Sequence, residues 1–401
     1  MSTRLLDVEL TQPWAPPIPS LRYENLRLFV RVNGWPIGYA HLARDSRDLL
    51  NEDALREHVL SQLGSALSTR LLAERWIGSD SQSDNGQVQA ISVIVCTRDR
   101  ADALRGCLDA LRAQNYPAFE VIVVDNASKD SQTRDVVSSY PFRYLREDRP
   151  GLDWARNRGL AEARNPIVAY TDDDARPNPD WLQALARGFV AGVDVVTGLV
   201  APAELETLPQ YLFEDAYGGM SKGFQLVLHS RRGRRRVTFT PNQYGTGCNM
   251  AFRKTALERI GGFDPALDVG TATGGGGDID AFQRVLETQG AIVYRPDAVV
   301  WHIHRRSLGK LRGQLYDNGR AYSAVLWACM RRARGFDRAR VVFAYWRWVR
   351  WWFLRRMWGR LRGREQMPMR LIFDEFRGGL LGVPLYWIAR RRARRLGKAT
   401  G

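Results

Sequence analysis

No stretch of this chain approaches the roughly 20 uninterrupted apolar residues that a membrane-spanning helix needs, so no such helix is expected. Cysteine is scarce. Cys96, Cys107, Cys248 and Cys329 are scattered, with neither metal-type nor disulfide-type spacing. That usage fits a reducing cytoplasm, with each thiol a small buried hydrophobe. The first twenty residues lack a basic segment followed by an apolar one. They carry Asp7, Glu9 and several prolines, and do not read as a secretory signal. No internal repeat is present. Acid is short at one end only: the last hundred residues hold about 25 Lys/Arg against about 5 Asp/Glu. The net charge of +16 therefore belongs to a tail, and the remainder is slightly acidic. A basic tail implies a polyanionic partner, either anionic lipid or nucleic acid.

What is present is 401 residues with 45% apolar content, enough to bury a sizeable core. Residues 1–80 read as a small α+β module. Leu26, Leu28, Val30 and Val32 alternate with Arg27 and Arg31, which places the arginines on the opposite face. Asn33-Gly34 then makes the turn of a hairpin, and Pro36 sits in the second strand. A helix follows from about Asn51 to Trp76, with Leu55, Val59, Leu60, Leu63 and Leu67 inward. Residues 81–89 are polar and read as a linker.

Residues 90–310 change texture. Buried strands (Ile91–Cys96, Phe119–Val124, Pro166–Thr171) alternate with helices (Ala101–Gln114, Trp154–Arg164). This predicts an α/β fold, a mostly parallel Rossmann-like sheet flanked by helices. Ligands in such sheets sit beyond the carboxyl ends of the strands. Thr97, Asp125 and Asp172 each lie just past a strand, and converge there.

Four constellations carry chemistry. Asp172-Asp173-Asp174 follows a buried strand, and three adjacent carboxylates repel unless a cation or solvent compensates. In extended backbone Asp172 and Asp174 point to one side and Asp173 to the other. Such oxygens suit Mg2+ or Mn2+; the alternative is an acidic surface turn backed by Asn178 and Pro179. Asp125 ends a strand, where it either accepts from a base or ribose or caps the next turn through Asn126 and Ser128. Gly274–Gly277 leads into Asp278, Ile279 and Asp280 at a helix start, where an acid serves as a cap or as a general base. His302 and His304 alternate after a strand and share one face, as metal ligands or as structural histidines.

In this order, SVIVCTRDR, FEVIVVDNASKD, GLDWARNRGLA, VAYTDDDARPNPDWL, GCNMAFRKTALERIGGFD and GGGGDIDAFQRV resemble glycosyltransferase family 2, whose members use the GT-A fold. The resemblance spans roughly residues 90 to 305. It implies an inverting, metal-dependent transferase using a nucleotide diphosphate sugar. Thr97, Arg98 and Asp125 would line the nucleoside pocket, and Arg156 and Asn157 would lie near the donor. Asp172, with Asp173 beside it, would meet the ribose and metal. Asp174 would ligate Mg2+ or Mn2+, and Asp278 would be the catalytic base. His302 matches a late metal-binding His, with His304 as the alternative. Gly277 departs from the pattern, since the family often has Glu there. That leaves open a share of the base role for Asp280, or a catalytically silent scaffold. The segment CTRDRAD has no Gly-rich phosphate loop of the nucleotidyltransferase kind.

Residues 311–401 form the basic tail. Val342, Trp346, Val349 and Phe353 fall on one helical face, with Arg340, Arg347, Arg350 and Arg355 largely opposite. A second segment, Leu380 to Ile388, runs into five arginines. Trp and Arg together suit a membrane interface. The expected partners are therefore an anionic membrane surface through residues 338–401 and a polysaccharide or lipid-linked acceptor at the inner face of the cell membrane. No nucleic-acid module is recognised, and no nucleic-acid partner is expected.

Overall fold

The computed structural model describes residues 2–13, 23–43, 52–77, 88–230, 241–363 and 367–398. Two sheets organise the chain. In the first, β1 (Thr3–Glu9) runs parallel to β2 (Asn25–Val32), and β2 pairs antiparallel with β3 (Trp35–Ala43). The hairpin is as read from the sequence, and a register shift between Val30 and Arg31 admits Pro36 opposite Arg31. β1 was not foreseen. Arg27 and Arg31 lie on the face opposite Leu28, Val30 and Val32, as expected, and both are buried. The reason is that both faces of this sheet are covered. The helix Glu52–Ile77 packs on one face through Leu55 and Val59, while Leu60, predicted inward, is exposed. On the other face Phe29 joins Leu199, Ala201, Tyr294 and Val299 of the second sheet, with its ring 5.1 Å from that of Trp301. Most of the predicted 81–89 linker, residues 81–87, lies outside the described residues.

The second sheet contains β4 (Ile91–Thr97), β5 (Phe119–Asn126), β6 (Arg143–Glu147), β7 (Ile167–Asp172), β8 (Ala175–Pro177), β9 (Val195–Pro202), β10 (Val227–Ser230), β11 (Met250–Arg253) and β12 (Ala291–His302). Its order is β10-β12-β9-β11-β7-β4-β5-β6, with β8 added alongside β12. The β7-β4-β5-β6 half is wholly parallel, and β11 enters antiparallel between β7 and β9. Alternation along β4 explains the layering. Ile91, Val93 and Val95 meet the helices Ala101–Arg112 and Trp181–Gly188 on one face. Ile94 and Cys96 meet Leu152–Glu162 and Gly277–Glu287 on the other. All four cysteines are buried and free, as read from their scatter.

Three C-terminal helical stretches follow: Leu308–Arg332, then Phe336–Leu361 with a π-type segment at Trp348–Leu354, then Met369–Lys398. The first and last approach so closely that a Cβ on Gly319 or Gly378 would strike the backbone of the facing helix. The predicted apolar face of the middle helix is split. Val342 and Trp346 are exposed, whereas Phe353 turns inward and stacks on Phe376 at 3.9 Å. The wider π turn shifts the phase along the helix, which a strict 3.6-residue period misses.

Candidate active site

Parallel pairing brings Thr97 opposite Asp125 and Cys96 opposite Asp172, so the three predicted strand-end residues share one edge. Immediately after Asp172 the chain turns into β8, whose Ala175 pairs with His302 on β12. This short antiparallel bridge brings Asp174 and His302 together. His302 Nε2 lies 3.2 Å from Asp174 Oδ1. One ligating atom each from Asp172, Asp174 and His302 falls within 4.8 Å of the others. Two carboxylates and an imidazole are a donor set suited to Mn2+ or Mg2+, and their spacing fits one ion. Asp173 sits in the turn between β7 and β8, where the expected extended alternation does not apply, and accepts from Thr97 Oγ1 at 2.8 Å and Arg100 at 2.6 Å. Burial pushes the Asp173 carboxyl up to about 7 despite Arg100. For Asp174, burial is outweighed by His302 and by Arg100 at 2.7 Å, which hold it well below the usual carboxylate range.

The two histidines divide their roles. His304 Nε2 lies 3.0 Å from Glu214 Oε2, and His304 Nδ1 lies 3.3 Å from His302 Nδ1. If Glu214 accepts at this contact, the proton of His304 is on Nε2. Its bare Nδ1 then accepts from His302 Nδ1–H. In that tautomer the lone pair of His302 is on Nε2, where a cation would take it, whereas the contact that lowers the Asp174 carboxyl needs the proton on Nε2. The chain Glu214–His304–His302 thus presents a metal-ready imidazole.

Asp278 is the second residue of the helix Gly277–Glu287 and acts electrostatically on Asp172. Arg156 Nη2 and Asp278 Oδ2 lie 2.6 and 3.0 Å from the point where Gly247 would carry a Cβ. Arg156 Nη2 is also 4.0 Å from Asp172 Oδ1, so this buried guanidinium stands between Asp172 and Asp278. Its partner is Asp153, 3.1 Å from Nη1. Lys222 also acts electrostatically on Asp278, and burial lowers its pKa. Asp280 is fully buried, with its oxygens held by Arg284 and Arg332 at 2.7 and 2.8 Å.

The remaining predicted residues are engaged elsewhere in this structure. Asp125 is buried and accepts from the Ser128 amide at 3.1 Å and Tyr144 Oη at 2.8 Å, which is the turn-capping arrangement. Arg98 is exposed, 3.9 Å from Asp99. Asn157 clasps the backbone of Phe263 through both side-chain atoms at 2.8 Å. Sequence reading missed Arg100, Asp153, Glu214 and Lys222. Arg100 and Asp153 lie inside two of the quoted segments, SVIVCTRDR and GLDWARNRGLA, but carried no assigned role there; Glu214 and Lys222 lie in none.

Residues 92–261 match the family described as glycosyl transferase family 2. The chain carries a family 2 glycosyl transferase domain. It is 26% identical over 283 residues to the pre-mycofactocin glycosyltransferase of Mycobacterium tuberculosis, covering 69% of this chain and 55% of that protein. The chain thus spans about half the length of that relative. A glucosyl-dolichyl phosphate glucuronosyltransferase of Haloferax volcanii is 26% identical over 236 residues, covering 53% of this chain and 68% of that protein. Among solved structures, a mannosyltransferase of Pyrobaculum calidifontis in complex with GDP-Man and Mn2+ superimposes with a TM-score of 0.47 at 19% identity, covering 86% of this chain and 85% of that one.

Proposed function

We propose that this family 2 domain is a metal-dependent, inverting glycosyltransferase that moves a sugar from a nucleotide diphosphate sugar to a glycan or lipid-linked acceptor. The observation carrying this reading is the Asp172, Asp174 and His302 cluster with the buried Arg156 guanidinium between Asp172 and Asp278. Mg2+ or Mn2+ held there would supply positive charge to the departing diphosphate. Asp278 takes the proton of the acceptor hydroxyl as its oxygen attacks the anomeric carbon. The bond from that carbon to the diphosphate oxygen breaks in the same displacement, and the configuration inverts. Arg156 adds a fixed cation beside the leaving group. A metal-supplemented binding screen of UDP-, GDP- and dTDP-sugars tests the reading. Saturable, chelator-sensitive binding of one donor, with slow hydrolysis in the absence of acceptor, is expected. A folded protein that binds none of them would point to the silent scaffold.

The same reading takes the C-terminal helices as the contact to an anionic membrane surface. No described helix is long and apolar enough to cross a membrane. The helix Phe336–Leu361 is nevertheless apolar on two faces. One packs inward through Val341 and Ala344, and the other exposes Phe343, Trp346, Trp351, Leu354, Trp358 and Leu361. Arg350, Arg355 and Arg362 lie over the exposed tryptophan rings at 4.3 to 5.6 Å. Indole at headgroup depth beside guanidinium at lipid phosphate is the arrangement an interface favours. Co-sedimentation with phosphatidylglycerol vesicles, weakened by salt and lost when Trp346, Trp351 and Trp358 become serine, is the expected result. Equal pelleting of that variant would remove the membrane from the proposal.

A further inference from the structure

The departure at Gly277 has a spatial cause. A Cβ at this position would overlap the carboxylate of Asp153, which reaches across from the helix Leu152–Glu162. Asp153 is 1% exposed. One of its oxygens accepts from Arg156, and no described residue donates to the other. A buried acid with a free oxygen is costly to keep for packing alone. Its placement has a clear electrostatic consequence. The Arg156 guanidinium is anchored at one nitrogen by Asp153 and offers the other to Asp172 and Asp278. Phe263, with its ring centroid 5.3 Å from the guanidinium carbon, backs it. The end of the helix at Gly277 adds its positive dipole on the same side. Burial and the charge of Asp268 raise the Asp153 carboxyl well above its ordinary range, which agrees with a group held out of water.

We propose that Asp153 is a positioning residue of the transfer site: it stands in the space left by Gly277 and holds Arg156 between Asp172 and the base. The acid missing from position 277 is thereby supplied in space by another helix. This rests on the role proposed for Asp278, so the test has two arms.

The first arm needs no turnover. Melting temperatures are measured for Gly277→Ala, Asp153→Ala and the double variant. Gly277→Ala should destabilise strongly with Asp153 in place and little in the Asp153→Ala background, so the two changes are non-additive. Additive effects would overturn the packing claim, whatever the protein catalyses. The second arm reads transfer. Asp153→Ala is expected to lower kcat/KM about 10- to 100-fold, and to add almost nothing in an Arg156→Ala background. A further tenfold loss in that background would overturn the claim that Asp153 acts through Arg156. Asp153→Gly combined with Gly277→Glu returns a carboxylate to the same space and should recover at least part of the activity lost in Asp153→Ala. No recovery, with the fold intact, also counts against the proposal. Wild-type protein that turns over no donor, together with a non-additive melting cycle, would retire the transferase reading and leave the Asp153–Gly277 packing standing.

Discussion

A base must be ionised, close to its proton and free of competing donors. Asp278 alone among the acids of the cleft stands beside Arg156 and acts on Asp172 without closing an ion pair of its own among the described residues. Asp278→Asn keeps the volume and removes the proton acceptor. kcat is expected to fall about 10²- to 10⁴-fold, with donor KM and metal affinity near wild type, measured by nucleotide diphosphate release at saturating acceptor. Near-normal turnover in a folded variant would remove Asp278 from the mechanism. Glu214 acts at a distance of two rings. Glu214→Gln can turn its amide NH2 toward His304, and the tautomer that leaves His302 Nε2 bare is no longer enforced. Mn2+ affinity is expected to drop about 10- to 100-fold by titration calorimetry; unchanged affinity would refute the relay. The acids of the DDD turn were legible because they are adjacent in sequence after a strand. Glu214 and Lys222 were not, because each is an ordinary polar residue until a distant element is packed against it; Asp153 sat in a quoted segment, but its place beside Gly277 depends on another helix.

Elements read well wherever one hydrophobic period governs them. The strands Ile91–Thr97 and Phe119–Asn126, and the inward residues of Ala101–Arg112, follow directly from alternation and from the 3.6-residue stripe. β1 was missed because its strand character comes from pairing with β2. The phase of Phe336–Leu361 was missed because a π turn interrupts it. That turn places Trp352 Nε1 2.6 Å from Glu375, a buried carboxylate 3.3 Å from Tyr217 Oη. Burial pushes Glu375 up to about 7, against an ordinary value of 4.5. Between those values the folded chain holds a proton that the unfolded chain has released. This contribution to stability is therefore complete below about 4.5 and is lost as pH rises through about 7. Glu375→Gln keeps the hydrogen bonds and cannot ionise. It is expected to flatten the fall in melting temperature across that window, and to melt several degrees above wild type at about pH 8. Parallel pH curves for the two proteins would count against a buried, proton-holding Glu375.

At the scale of the whole molecule, three parts meet at Leu212–Tyr217. The N-terminal sheet reaches it through Arg27, which donates to both oxygens of Asp215 at 2.7 Å. The C-terminal helices reach it through Arg356, which donates to the carbonyls of Ala216 and Tyr217 at 3.0 and 3.2 Å, and through the packing of Leu212 and Phe213 on Leu311, Leu315, Leu371 and Ile372. The cleft reaches it through Glu214 and His304. The N-terminal module, for which the sequence offered no chemistry, thus bears on the metal ligands through one ion pair. An internal control separates this role from general stability. Arg31 is about as buried as Arg27 and donates Nε and Nη2 to the two oxygens of Asp7, wholly within the module. Arg27→Met and Arg31→Met each leave an acid without its cation, and both are expected to lower the melting temperature. Only Arg27→Met should also weaken Mn2+ binding, by about threefold or more, an effect within the range seen when groups that orient a metal ligand are lost. If both variants bind Mn2+ as wild type does, the first sheet stabilises the chain without bearing on the site. If both weaken it equally, the effect is global loosening and the specific path through Asp215 fails.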